Sequence, residues 1–88
     1  MTTENLMVPS VHLNGTGRKT LSEQNHAAAS AVNEAIGKLT QAAPNARDYY
    51  PQGPDAYARA RSQHEARVLR LQAVYEELAQ VYAAIEEA

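Results

Sequence analysis

The stretch PNARDYYPQGP, Pro44 to Pro54, decides how the chain is read. Pro44 ends any helix before it, because a proline ring pushes the preceding residue out of the α region. Pro54 suits the first turn of a helix that follows, where a missing N–H leaves no hydrogen bond unmade. Asp55 beside it carries the charge that the positive end of a helix favours. The stretch therefore separates two helical segments. It also carries more than a bend requires: an Arg-Asp pair and two adjacent tyrosines.

The upstream segment, residues 20–43, reads TLSEQNHAAASAVNEAIGKLTQAA. Thr20 and Glu23 have the spacing of a capping box, in which each side chain satisfies a free backbone N–H of the first turn. Ala28, Val32, Ala35, Leu39 and Ala42 alternate by four and three, the signature of one helix face, and Ile36 widens it. Gly37 costs about 1 kcal/mol relative to alanine in a helix interior, which points to a close approach of the second helix. Downstream, residues 55–87 place Tyr57, Ala60, His64, Val68, Leu71, Tyr75, Leu78, Tyr82 and Ile85 at near-heptad spacing, with Val74 and Val81 alongside.

The expected fold is all-α: an antiparallel two-helix hairpin with an extended N-terminal arm. At 1.5 Å per residue the first helix spans about 35 Å and the second about 50 Å. The second is expected to overhang the first by about ten residues at its C-terminal end. That overhang would carry Leu78, Val81, Tyr82 and Ile85 as an apolar strip for the arm or another subunit to cover. The arm, residues 1–19, begins polar and then offers Val8, Val11 and Leu13, a turn at Asn14-Gly15-Thr16-Gly17, and room for a short strand.

The chain has 88 residues, enough for one domain, residues 1–88. It contains no Phe, Trp or Cys, and many of its apolar residues are alanine. Disulfides and thiolate metal sites are excluded. A chain this small gains stability from self-association, so a homo-oligomer is expected. The net charge of -2 argues against general DNA or RNA binding. No stretch approaches the roughly 20 apolar residues of a membrane span, and MTTENLMVPS does not read as a secretory signal. A cytoplasmic protein without membrane association is expected. The glycosylation sequon Asn14-Gly15-Thr16 is then a chance match.

On the second helix Arg59, Arg61, Arg67 and Arg70 precede Glu76, Glu77, Glu86 and Glu87. This order opposes the helix dipole. Antiparallel pairing between protomers or an anionic ligand would explain it; a solvated face is the simpler account. Arg61, His64 and Arg67 fall on or beside the apolar stripe near the bend. A basic group there needs a partner, such as Asp48, Glu34 or a phosphate.

GTGRKT, Gly15 to Thr20, lacks the glycine and lysine positions of a phosphate loop. A helix N-terminus beside Arg18 and Lys19 still favours an anion. His12, His26 and His64 show no metal-binding spacing, and no catalytic constellation is marked by a motif. The expectation is no enzyme activity, no metal and no cofactor. Arg47-Asp48-Tyr49-Tyr50 is the most specific polar cluster. It serves either as a ligand pocket, with flat rings for stacking and a guanidinium for phosphate, or as a cap on the hairpin.

VHLNGT (Val11 to Thr16) and PNARDYYPQG (Pro44 to Gly53) resemble blocks of a group of short uncharacterised phage and prophage proteins. The resemblance spans residues 11–88 and implies no functional residue. The chain is also similar in architecture to small phage helical-hairpin proteins that assemble into homo-oligomers. Some of these act as sponges for the cyclic nucleotide signals of bacterial CBASS or Thoeris immunity. That similarity implies a phage-encoded, non-enzymatic protein that sequesters a cyclic or ADP-ribose-type nucleotide in pockets between subunits. Residue chemistry then divides the roles. Arg47, Arg61 and Arg67, with Arg18 and Lys19, would bind phosphate; Tyr49, Tyr50 and Tyr57 would stack on bases; Asn14, Asp48 and His64 would supply hydrogen bonds. The alternative is a structural or adaptor protein that binds a protein partner through its long helix.

Overall fold

A computed structural model describes residues 6–88; the first five residues of the expected arm lie outside it. Two long helices, α1 (Arg18–Gln41) and α2 (Ala56–Glu87), flank two single 3-10 turns at Ala46–Asp48 and Tyr50–Gln52. The helices pack against each other as an antiparallel hairpin. Among the described residues there is no strand, so the arm forms none there. Residues 6–17 run irregularly apart from one turn, in which the Gly15 N–H donates to the His12 carbonyl at 3.1 Å. The molecule is a rod of 61 × 23 × 17 Å. Its radius of gyration is 18.3 Å, against about 12 Å for a globular chain of this length. No helix among the described residues is long and apolar enough to cross a membrane.

The start of α1 differs from the capping-box expectation. The helix begins at Arg18, so Thr20 already lies inside the first turn. Gly17 is the N-cap, in extended conformation and without a side-chain cap bond. Glu23 instead stands 3.8 Å from the ammonium of Lys19, one turn back. At the other end the helix stops at Gln41. The Ala42 N–H reaches both Leu39 and Lys38 carbonyls at 3.0 and 3.2 Å, a tightened last turn ahead of Pro44.

The seam of α1 is Ser22, Asn25, Ala29, Val32, Ile36 and Leu39, all buried or half-buried. Val32 and Leu39 belong to the expected stripe and Ile36 to its widening. Ala28, Ala35 and Ala42 are exposed, one step around the helix from α2. Alanine is a poor reporter of direction, because it is tolerated on any helix face. The stripe of α2 matches its reading throughout: each of Tyr57, Ala60, His64, Val68, Leu71, Tyr75, Leu78, Tyr82 and Ile85 is buried or half-buried.

The register corrects the expected overhang. The Ser22 hydroxyl donates to the Glu86 carboxylate. The His26 and Tyr82 rings lie 5.4 Å apart, tilted at 55°. Ile85 is fully buried, at 0% exposure. The C-terminal end of α2 is thus paired with the start of α1, and the longer helix runs past its neighbour at its other end. The cause is the loop. It does not simply bend; its 3-10 turns lie back along the first turns of α2, with Tyr49 and Gln52 beside Ala56, Arg59, Ala60 and Gln63. Residues that would otherwise span a bend instead cover the start of α2.

This register also accounts for the reversed charge order of α2. Glu86 and Glu87 stand at the end of the rod where α1 presents its positive N-terminus. The arginines of α2 stand toward the negative C-terminus of α1. In an antiparallel pair each helix end receives the charge it favours from its neighbour.

Gly37 does not mark a close helix approach. It is exposed, and a Cβ built on it meets nothing within 4 Å. Gly37→Ala is therefore expected to raise the unfolding free energy by about 1 kcal/mol, through helix propensity alone. Urea denaturation followed by circular dichroism measures it; a loss of stability would show that the position is sterically constrained.

Candidate functional site

The structure separates the expected site residues into two groups at opposite ends of the rod. At the open end, where the chain enters α1 and leaves α2, a groove of about 690 Å³ is lined by Arg18, Lys19, Ser22, Glu23, His26, Tyr82 and Glu86. The first turn of α1 supplies the two cations. One turn further on, Ser22 is buried and held by Glu86, which ties the two helices together at the groove floor. His26 and Tyr82 form an aromatic wall. Lys19 and Glu23 have 89% and 66% of their side chains exposed, so their ion pair contributes little and both can turn toward a ligand.

The loop end holds the remaining candidates, distributed over several surfaces. The Arg61 guanidinium lies 5.9 Å from the centre of the Tyr57 ring, a cation–π contact. Arg61 also stands 3.8 Å from Glu65, so the neighbouring carboxylate is Glu65 rather than the expected Asp48 or Glu34. His64 is buried, at 8% exposure. With Thr40, Ala43, Glu65, Val68 and Leu69 it lines an apolar groove of about 460 Å³. Tyr49 lines a smaller cleft of about 250 Å³ with Arg59 and Gln63.

Arg47 and Asp48 sit exposed on the first 3-10 turn. The Asn45 side-chain oxygen accepts from the Arg47 N–H at 3.3 Å and fixes that turn. Tyr50 is 74% exposed. Arg67 is exposed on α2, and Asn14 is exposed in the turn of the arm. Within one chain, Arg47, Asp48, Tyr49, Tyr50, Arg61, His64 and Arg67 share an end of the rod but do not line one described cavity.

Sequence reasoning found Arg18 and Lys19 but missed His26 and Tyr82 as their companions. The signal was present in part. Ser22 and His26 are one turn apart on α1, and Tyr82 and Glu86 are one turn apart on α2. Only the register brings the two pairs together, and the register is set by the loop.

Comparison with family models, with curated proteins and with solved structures returns no match.

Proposed function

We propose that the chain is a phage-encoded, non-enzymatic binding protein that assembles with itself and sequesters a cyclic or ADP-ribose-type nucleotide. The observation that carries this reading is the open-end groove, where Arg18 and Lys19 share walls with the His26 and Tyr82 rings. A nucleotide asks for that combination: cations for phosphate and flat rings for a base. Glu23 and Glu86 supply acceptors for ribose hydroxyls or base amines. Arg61 over Tyr57 repeats the pairing of cation and ring at the loop end. From Tyr57 to Tyr82 is about 37 Å along α2, too far for both ends of one chain to hold one small ligand. A ligand held by both sets lies between subunits.

Incubating the protein with cyclic di- and trinucleotides and cyclic ADP-ribose isomers, washing, and heat-denaturing tests this. Release of one ligand into the supernatant is expected, together with a raised melting temperature in its presence. Replacing both Arg18 and Lys19 by alanine is expected to weaken retention at least about tenfold. A protein that retains no member of the panel and shows no thermal shift would refute the proposal. The adaptor reading keeps one observation in its favour, the 65% exposure of Leu69 on the long helix.

A further inference from the structure

α1 and α2 each carry a second apolar seam beside the one that joins them. On α1 it runs Leu21, Asn25, Ala28, Val32, Ala35, Leu39, Ala42; on α2 it runs Leu71, Val74, Leu78, Val81, Ile85. Both alternate by four and three without a break, the spacing of a packed helix face. Asn25, Val32, Leu39, Leu71 and Leu78 belong to both seams of their helix and are half-buried, whereas Ile85 at the end of the run is already fully buried in the hairpin. The added residues stand to one side: Ala28, Ala35 and Ala42 are exposed, and Val74 is 42% exposed. In an antiparallel pair of right-handed helices these additions turn to the same side of the hairpin. It is the side away from the grooves lined by His26 and His64.

We infer that this face, centred on Ala35 and Val74, docks a second copy of the chain to form a two-fold four-helix bundle. The inference rests on the self-assembly in the proposed function and not on a nucleotide; it leaves the His26 and His64 grooves on the outer faces of the dimer, open to a ligand or to a further copy.

Three features select a second copy as the occupant. The first is burial. Among the described residues, Ala29 and Ile85 are the apolar side chains buried in the single hairpin, which is too thin a core for a chain of this size. A seam of matching period on both helices supplies the missing layer.

The second is register. Ser22 faces Glu86 and His26 faces Tyr82. Continuing at that register places Ala35 level with Ala73 and Val74. A two-fold axis across the face at that level lays α1 antiparallel on the partner's α1. Ala35 then meets the partner's Ala35, and Ala28 meets the partner's Ala42. Small residues at all these positions let the two backbones approach closely.

The third is charge. Arg70 and Glu77 border this face on α2, and the same axis passes midway between them. Arg70 then stands opposite the partner's Glu77, and Glu77 opposite the partner's Arg70, as an isologous interface requires.

The chain has no cysteine, so single thiols report the geometry directly. Ala35→Cys is expected to yield mostly disulfide-linked dimer under mild oxidation, since Cα atoms within about 7 Å can be bridged. Ser30→Cys, exposed on the other side of α1, is expected to remain mostly reduced. Sedimentation of the native chain without nucleotide is expected to show a dimer or a multiple of it at micromolar concentration. Arg70→Glu is expected to weaken dimerisation at least about tenfold, and adding Glu77→Arg to restore it. Arg70 is exposed and Glu77 half-buried, and circular dichroism of each variant is expected to show the fold retained. A native monomer, equal cross-linking of the two cysteine variants, or no rescue by the double charge exchange would each overturn the inference. A dimer that retains no nucleotide would overturn the sponge reading and leave this one standing.

Discussion

Ile85→Ala is expected to lower the unfolding free energy by about 2–5 kcal/mol. Ile85 is fully buried, at 0% exposure, three residues from the end of the chain. It is held there because the register brings the start of α1 alongside the end of α2. Truncation removes fully buried methyl and methylene groups and leaves a cavity, so both the transfer and cavity contributions apply. A chain with so small a core has little stability to lose, and the variant is expected to unfold broadly near physiological temperature. Leu69→Ala is the comparison. Leu69 is equally large but 65% exposed, and its truncation is expected to change stability by no more than about 0.5 kcal/mol. Urea titration of both variants measures the difference. Equal losses would show that the C-terminal turns of α2 are not anchored by α1 and that the register is wrong.

The same residue shows what the sequence could not disclose. Ile85 was legible as part of the α2 stripe, because large side chains at heptad spacing have one economical explanation. Its burial was not legible. A loop that simply bends would place Leu78, Val81, Tyr82 and Ile85 beyond the reach of α1. Nothing in the spacing of α1 opposed this, since its apolar positions are mostly alanine and fit either of two neighbouring stripes. The seam that forms includes Ser22 and Asn25, polar residues that a search for hydrophobic periodicity passes over. Ser22 is accepted because its hydroxyl donates to Glu86. Asn25 donates its side-chain amide to the Leu21 carbonyl at 2.9 Å and so hides its own polarity against the helix.

The candidate site was legible to the same degree. Arg18 and Lys19 could be read as cations at a helix N-terminus without knowing the fold. Their aromatic neighbours could not, because His26 and Tyr82 are 56 positions apart in sequence and meet only through the register. The loop cluster is the converse. Arg47, Asp48, Tyr49 and Tyr50 are adjacent in sequence, yet alternate 3-10 turns direct them to different surfaces. Tyr49 packs along α2 while Tyr50 projects outward. Adjacency in a loop is a weak guide to convergence when the loop is itself folded.

That folded loop depends on Gly53, and Gly53→Ala is expected to cost about 1–3 kcal/mol. Gly53 has φ 118° and ψ 168°, a region open to glycine and closed to side chains of L configuration. Among the described residues it is the one with positive φ. A Cβ built there meets nothing within 4 Å, so the cost lies in the backbone and not in a clash. The position closes the second 3-10 turn, with the Gly53 N–H donating to the Tyr50 carbonyl at 3.2 Å. It also opens α2, its carbonyl accepting from the Ala56 N–H at 3.3 Å. Relaxing φ to a negative value would swing the two turns off the first turns of α2 and uncover Ala56 and Ala60. D-alanine, introduced by chemical synthesis, has the mirror-image preference and is expected to retain nearly full stability. Gly37→Ala makes the same chemical change with the opposite sign. If Gly53→Ala were as stable as the native chain, the loop would have a second conformation available, and the register that pairs Ser22 with Glu86 would have to be held by the helices alone.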